Sequence, residues 1–148
     1  MEIMSNLLAK LYRVAIRMRR KINIFLLRIV GAKIEKNCNF YGSVKIDGYY
    51  HYLQIGENTS LNEGVVINLR DKVTIGKNVH ISAGVKIFTS NLSKTSTGKK
   101  HINNSVVIED DVWIASNSVI SCGTVIKKGS IIGANSLVIN DIPENSFC

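Results

Sequence analysis

The sequence contains few cysteines, and their arrangement excludes two kinds of site. The three cysteines of the 148-residue chain, Cys38, Cys122 and Cys148, are far apart and form neither a CxxC pair nor a cluster with histidine. They therefore predict no zinc site and no disulfide framework, and they indicate a reducing compartment. A chain of this length, with 45% hydrophobic residues, is long enough for one domain with a sizeable core and too short for two.

The first 30 residues lack a long apolar run. Their uncharged stretches, such as Ile22 to Leu27, are far shorter than the ~20 residues that span a bilayer. No small-residue cleavage site follows an apolar core, as it would in a signal peptide. We therefore expect a cytoplasmic protein with neither a signal peptide nor a transmembrane helix.

Acidic residues are nearly absent from the same segment. Residues 1–30 contain seven lysines and arginines and one acidic residue, Glu2, so six of the eight net positive charges lie there. The rest of the chain carries only +2. We take this distribution, with the charge concentrated in one terminal segment, as an argument against a nucleic-acid partner.

Apolar residues recur at three- and four-residue spacing in this segment and predict a helix that begins near Ser5 and ends before Gly31. Its apolar face would consist of Leu7, Leu8, Leu11, Ala15, Met18 and Ile22. One hypothesis is that the helix of residues 1–31 packs on the domain or on a neighbouring subunit. The other is that this basic amphipathic segment rests on an anionic membrane surface as a peripheral contact.

An aliphatic residue returns at every sixth position over most of the remaining chain. The longest series in register is Ile108, Ile114, Ile120, Ile126, Ile132 and Val138. Shorter series upstream are Ile55, Leu61 and Ile67, and then Ile75, Ile81 and Ile87. This period fits a chain that turns a corner after each short strand, with the aliphatic residues on a common axis. It predicts a mostly β, triangular solenoid of parallel strands over residues 37–142.

Glycine and asparagine interrupt these repeats, and Asn58, Asn78, Asn117 and Asn135 are expected at corners where the backbone turns tightly. The register changes twice. Ile67 to Ile75 spans eight residues, which needs a two-residue bulge at a corner. Ile87 to Ile108 spans 21 residues, and the polar residues 88–107 between them predict a loop extending from the coil, a common place for function. Residues 143–148 are expected to form a short tail.

The last coils carry a family resemblance. The run Ile108-Glu-Asp-Asp-Val-Trp-Ile-Ala-Ser116, followed by Gly123-Thr-Val-Ile and Ile132-Gly-Ala-Asn-Ser-Leu-Val, resembles the hexapeptide-repeat acyltransferases. The most similar groups are the maltose and galactoside acetyltransferases and the polysaccharide O-acetyltransferases. The resemblance implies a left-handed parallel β-helix, a homotrimer with active sites between subunits, and acetyl-CoA as donor. It also implies transfer of the acetyl group to a sugar hydroxyl, without a metal.

The resemblance also implies site residues. Trp113 and Ser116 match the stretch that lines the pantetheine arm of the donor, and Ala134 matches a position where the backbone approaches it. The Thr-Lys pair expected after them is Ile139-Asn140 here, so Lys127 and its neighbour Lys128 become candidates for the CoA phosphates, with a solvated face as the alternative. The chain stops at Cys148, where relatives usually continue through a Gly-x-Pro-Ala segment.

The chemistry requires a base, because an alcohol is a poor nucleophile toward a thioester until its proton is removed. The family usually has a histidine in the excursion, at the position that is Leu92 here, and leucine cannot accept a proton. The remaining histidines are His51, His80 and His101. His101 lies in the excursion and is the favoured base, with a plain loop residue as the main alternative and His80 as the other candidate.

Three other functions are compatible with such a solenoid. A zinc carbonic anhydrase needs three convergent histidines, which the spacing of the three present does not offer. A serine acetyltransferase is a closer alternative, because the Gly98-Lys-Lys-His101 stretch faintly resembles its glycine-rich loop, although no Asp/His pair matches around Leu69. The third is a non-catalytic solenoid that binds or scaffolds other glycan enzymes, and Leu92 and the short C-terminus favour it.

Overall fold

The computed structural model describes residues 2–95 and 98–148, and it begins with one long helix. Helix α1 spans Glu2–Ile29 and therefore starts a turn earlier than expected, while its predicted end is confirmed. Gly31 ends it, because its φ of +105° lies in the region that favours glycine and its N–H donates to the Arg28 carbonyl at 3.1 Å. The side chain of Leu7, assigned to the apolar face, lies outside the described residues.

Short parallel strands follow and form the first three coils of a triangular solenoid. The first coil contains β1 (Lys33–Ile34), β2 (Asn39–Phe40) and β3 (Lys45–Gly48). The second contains β4 (Leu53–Ile55), β5 (Ser60–Leu61) and β6 (Val66–Leu69), and the third contains β7 (Val73–Ile75), β8 (His80–Ile81) and β9 (Lys86–Phe88). The solenoid thus begins a few residues before the predicted residue 37.

Residues 88–107 extend from the coil as predicted, and most of this excursion has regular secondary structure. Strands β10 (Ser90–Thr95) and β11 (Gly98–Asn103) pair antiparallel and form a hairpin between the third and fourth coils. Residues 96 and 97 lie outside the described residues. The hairpin pairs polar residues across its strands and lacks the alternation of apolar and polar residues that reveals a strand in sequence.

The winding resumes after the hairpin in two further coils. The fourth contains β12 (Val106–Ile108), β13 (Trp113–Ile114) and β14 (Val119–Ile120), and the fifth contains β15 (Val125–Ile126), β16 (Ile131–Ile132) and β17 (Leu137–Val138). The expected tail continues the winding, because Ile142 bridges to Ile126 and Phe147 to Ile131.

Equivalent strands of successive coils form three parallel sheets. Sheet A has the order β1-β4-β7-β12-β15, sheet B the order β2-β5-β8-β13-β16, and sheet C the order β3-β6-β9-β14-β17. The hexapeptide grid is the core, because Ile114, Ile120, Ile126 and Ile132 are all fully buried. Each grid residue pairs with its counterpart one coil away, as Ile114 does with Ile81 and Ile132. The predicted β-helix of hexapeptide repeats is therefore confirmed.

Asparagines hold the corner between sheets A and B. Asn37, Asn58 and Asn78 all have φ between 54° and 59°, where asparagine is tolerated better than most residues. Their side-chain amides bond in a ladder along the axis, with Asn37 donating to Asn58 at 3.1 Å and Asn58 to Asn78 at 3.3 Å. Asn78 then donates to the Asp111 carboxylate at 3.0 Å. The expectation that asparagine marks corners is confirmed.

Candidate active site

The hairpin is fixed at its base by a buried threonine. The Thr89 hydroxyl accepts hydrogen bonds from the backbone N–H groups of Arg70 and Asp71 at 2.9 and 3.0 Å. It donates to the Asn68 carbonyl at 2.8 Å, while the Thr89 carbonyl accepts from the Asn104 N–H at 3.0 Å. These bonds pair backbone N–H and C=O groups of the corner between Ile67 and Ile75, where the sequence predicts a two-residue bulge. They also attach both ends of the hairpin to the rigid coils at the corner between sheets C and A.

His101 lies directly opposite Leu92 in the hairpin. Residues directly opposite in an antiparallel pair project from the same face, with Cβ atoms roughly 5 Å apart. Both side chains are exposed, and Leu92 keeps 52% of its surface accessible. The histidine predicted as base is therefore beside the position at which the family resemblance expects one.

The other two histidines lie elsewhere. His80 is on the outer face of sheet B, and its Nδ1 atom is 2.9 Å from the Ser60 hydroxyl. The ring of His51 packs against that of Tyr52, with 4.3 Å between ring centroids, in a single 3₁₀ turn of residues 50–52. The turn connects the first and second coils, so His51 contributes to the packing of this connection.

Small side chains stack along the corner between sheets B and C, which we call the B/C corner. Equivalent positions after the grid residues Ile81, Ile114 and Ile132 contain Ser82-Ala83, Ala115-Ser116 and Gly133-Ala134. Ser116 and Ala134, both predicted to contact the donor, are thus equivalent residues in adjacent coils, and the Asn135 N–H donates to the Ser116 carbonyl at 2.9 Å. The structure brings these two residues together as one line of small side chains parallel to the axis.

Trp113 lies on sheet B beside this line. Its indole N–H donates to the Ser82 hydroxyl at 3.1 Å, and 48% of the side chain is exposed. The hydrogen bond fixes the indole across two coils, next to the small residues of the B/C corner. Trp113 is therefore close to Ser116 in space as well as in sequence, as the prediction of a shared donor site requires.

A groove of about 830 Å³ opens between α1 and the B/C corner of the first four coils. Tyr12 and Asn23 line it from α1, while Tyr41, Glu63 and Ser116 line it from the first, second and fourth coils. The Glu63 carboxylate accepts from the Ser43 N–H at 2.9 Å. Sequence analysis missed this groove, because its residues come from five separate segments and no local pattern connects them.

Lys127 lies at a different corner from the other predicted donor residues. It follows β15 at the corner between sheets A and B, and its ammonium is 3.7 Å from the Glu109 carboxylate. Lys128 forms a similar pair with Asp111 at 3.7 Å. Both lysines are exposed, as expected for a solvated face. The predicted contact of Lys127 with a CoA phosphate stays a prediction.

The hairpin and the B/C corner do not meet within one chain. The hairpin leaves the prism at the corner between sheets C and A, whereas Ser116 and Ala134 lie at the B/C corner. A triangular cross-section separates these corners by the whole width of sheet C. One chain therefore has the candidate base at one corner. The line of small side chains that includes Ser116 and Ala134, which we call the donor line, lies at another corner.

The cysteines and acidic residues of residues 2–95 and 98–148 form no candidate metal site, and Cys38 has a raised pKa. No group of three or more His, Cys, Asp or Glu side chains in this part of the chain is placed to hold a metal ion. Burial raises the pKa of the Cys38 thiol above its ordinary value and outweighs the lowering effects of a backbone hydrogen bond from Thr59 and of Arg28. A thiol with a raised pKa stays protonated at neutral pH and is a weak nucleophile.

The fold and the repeats of the later coils identify the family. The bacterial transferase hexapeptide family (six repeats) matches residues 105–140, which cover the fourth and fifth coils. The putative colanic acid biosynthesis acetyltransferase WcaF of Escherichia coli K12 is 32% identical over 84% of this chain and 68% of its own length. The chain belongs to the hexapeptide-repeat transferases. Among the known members, a galactoside O-acetyltransferase of Lactococcus lactis is 31% identical over 81% of this transferase chain.

The similarity extends to solved structures of hexapeptide-repeat transferases. An acetyltransferase from Vibrio cholerae, solved in complex with acetyl coenzyme A, superposes with a TM-score of 0.67 and 25% identity. The superposition covers 90% of this chain and 82% of that one. This chain spans only 59% of the length of the Lactococcus relative.

Proposed function

We propose that this protein is an O-acetyltransferase that moves an acetyl group from acetyl-CoA to a hydroxyl of a sugar or surface glycan. The names of its relatives support the proposal, since both the colanic acid and the galactoside enzymes are acetyltransferases associated with carbohydrates. The observation that carries it is the position of His101, opposite Leu92 on a hairpin that is anchored to a rigid coil. A base held in this way is what transfer to a hydroxyl requires.

The donor would lie along the B/C corner. Ser116 and Ala134 are small and partly or fully exposed, so they let a narrow chain such as the pantetheine arm approach the backbone of successive coils. Trp113, fixed by its hydrogen bond to Ser82, would cover one side of that arm. The residues present therefore fit acetyl-CoA as a substrate. The groove beside α1 extends along the B/C corner from Ser116 to the first coils.

His101 would act as the general base. Its imidazole accepts the proton of the sugar hydroxyl while the oxygen attacks the thioester carbonyl, which forms a C–O bond and a tetrahedral oxyanion. Collapse of this intermediate breaks the C–S bond, and the CoA thiolate takes a proton back from the imidazolium. The acetyl ester and CoA are the products, and the histidine returns to its neutral form.

We infer that the working unit is a homotrimer. The candidate base and the candidate donor line lie at different corners of one prism, so a complete site needs a second protomer that brings its hairpin to the B/C corner of the first. Closed rotational symmetry then repeats the site at every interface. Sedimentation equilibrium at micromolar concentration should give three times the chain mass, and a monomer with full activity would contradict this assembly.

Release of CoA, followed with a thiol reagent, tests the function directly. Acetyl-CoA with a galactoside or an oligosaccharide acceptor should release thiol far faster than acetyl-CoA alone. Ala134→Trp should raise KM for acetyl-CoA, because the indole would fill the donor line at an exposed position. Lys36→Trp, which places the same side chain at an equivalent exposed position of the corner between sheets A and B, should leave KM unchanged. Binding of acetyl-CoA without any turnover would instead favour a non-catalytic solenoid.

A further inference from the structure

Helix α1 carries a wide apolar surface that its own β-helix does not cover. Nine large apolar side chains on the helix are between 51% and 69% exposed. They are Leu8, Leu11, Tyr12, Val14, Met18, Ile22, Phe25, Leu26 and Ile29. A monomeric protein rarely leaves so large a contiguous apolar patch in water, so something covers it.

Most of the apolar surface points away from the β-helix, while Tyr12 and Leu26 at its edge also line cavities beside the first coils. At 3.6 residues per turn, the nine exposed side chains occupy an arc of about 160° around the helix. The less exposed residues of the described helix are Ala9, Ile16, Ile24 and Leu27, which occupy a separate arc of about 80°. Ile24 and Leu27 on this arc pack on the core of the β-helix. The apolar periodicity recognised in the sequence is therefore real, but it does not form the contact with the domain.

Basic residues lie between these two arcs. Lys10, Arg17, Lys21 and Arg28 border one edge of the apolar arc, and no acidic residue occurs from residue 8 to residue 30. Arg28 also donates to the carbonyls of Ile34 and Glu35 at 2.8 and 3.0 Å, which ties the end of the helix to the β-helix. The helix thus presents an apolar stripe and a positive edge together over its 28 residues.

We propose that α1 lies in the headgroup region of an anionic lipid bilayer, with its apolar stripe in the upper part of the acyl chains. An amphipathic helix with a basic polar face binds membranes in this way. Its affinity for the membrane increases with the buried apolar area and with the negative charge of the lipids. A second copy of the chain is a poorer occupant, because it would bring the same positive edge close to the first. Within the described residues, no helix is long and apolar enough to cross a bilayer.

This orientation leaves the β-helix in water. The β-helix packs on the side of α1 that is away from the apolar stripe, so it would stand on the aqueous side of the headgroups. The groove between α1 and the B/C corner then opens close to the membrane surface. Membrane binding does not depend on the proposed transfer reaction, and either property can fail while the other holds.

Sedimentation of the full chain with vesicles tests the proposal. The protein should bind vesicles of phosphatidylcholine mixed with phosphatidylglycerol and should bind pure phosphatidylcholine weakly, with the difference lost at high salt. Lys10→Gln together with Lys21→Gln should weaken binding about fivefold per charge removed. Lys45→Gln together with Lys86→Gln removes the same charge from exposed positions on sheet C and should leave binding nearly unchanged.

A pair of phenylalanine variants tests the apolar stripe. Phe25→Ser should weaken vesicle binding by about tenfold or more, since it removes a large apolar side chain from the stripe. Phe147→Ser, at a position that is 79% exposed on the last turn of the β-helix, should not weaken it. Equal binding to both kinds of vesicle would overturn the proposal. So would a Phe25→Ser variant that changes the oligomeric state while vesicle binding is retained, because the stripe would then join copies of the chain.

Discussion

Leu92 and His101 are directly opposite each other in the hairpin and project from the same face of it. The side chains of such a pair lie close together, so a residue at either position reaches nearly the same region beyond the hairpin. The leucine at position 92 therefore leaves a candidate base in this region, because the facing strand has a histidine there. The pair also shows why sequence position alone is a poor guide to the location of a candidate base in the hairpin.

Exchange of the two side chains tests this relationship. The double variant Leu92→His with His101→Leu keeps one histidine and one leucine on the same face of the hairpin. We expect its kcat to exceed that of His101→Leu alone by on the order of tenfold or more, because a base is again present. Equal turnover numbers for the two variants, with both proteins folded by circular dichroism, would show that the two positions are not interchangeable.

The axial grid should dominate stability. Ile120 is fully buried between Ile87 and Val138 of the adjacent coils. Ile120→Ala should therefore lower the free energy of unfolding by ~2–5 kcal/mol, through lost burial and the cavity left behind. Lys127→Ala removes an exposed ion pair and should cost less than about 1 kcal/mol. Urea unfolding of both variants decides the point, and equal costs would mean that the register is wrong.

Two buried threonines should respond oppositely to the same substitution. The Thr59 hydroxyl donates to the Gly76 carbonyl at 2.8 Å and accepts from the Val79 N–H at 3.1 Å. The Thr124 hydroxyl is equally buried but has no hydrogen-bond partner among the described residues. Thr59→Val should cost about 1–3 kcal/mol, whereas Thr124→Val should be neutral or stabilising. Denaturant midpoints measure both, and a Thr124→Val variant as unstable as Thr59→Val would contradict this assignment.

The coils were predictable from the sequence because their determinants are local and periodic. Ile114 and Ile132 recur on the six-residue grid, and Asn58 and Asn78 mark corners where positive φ is required. A grid of this kind can be recognised from the repeat of one residue type at one spacing. Ser116 and Ala134 were predicted from the family resemblance, and their equivalence in adjacent coils is a finding of the structure.

The hairpin, the groove and the exposed face of α1 were not predictable in the same way. The hairpin depends on pairing across polar residues and on the Thr89 hydroxyl, which bonds to a corner 18 and 19 residues earlier in the chain. The groove joins Tyr12 to Glu63 across separate segments. For α1, the spacing of apolar residues reveals that one face is apolar but contains no information on which surface covers it.

The turnover of His101→Ala with acetyl-CoA and a sugar acceptor tests the central claim most directly. If His101 takes the proton of the attacking hydroxyl, kcat should fall by ~10²–10⁴ while KM for acetyl-CoA barely changes, because general-base assistance acts in the transition state. His80→Ala, which removes the histidine bonded to Ser60 on the outer face of sheet B, should be nearly as active as the wild type. Full activity of His101→Ala would contradict the account.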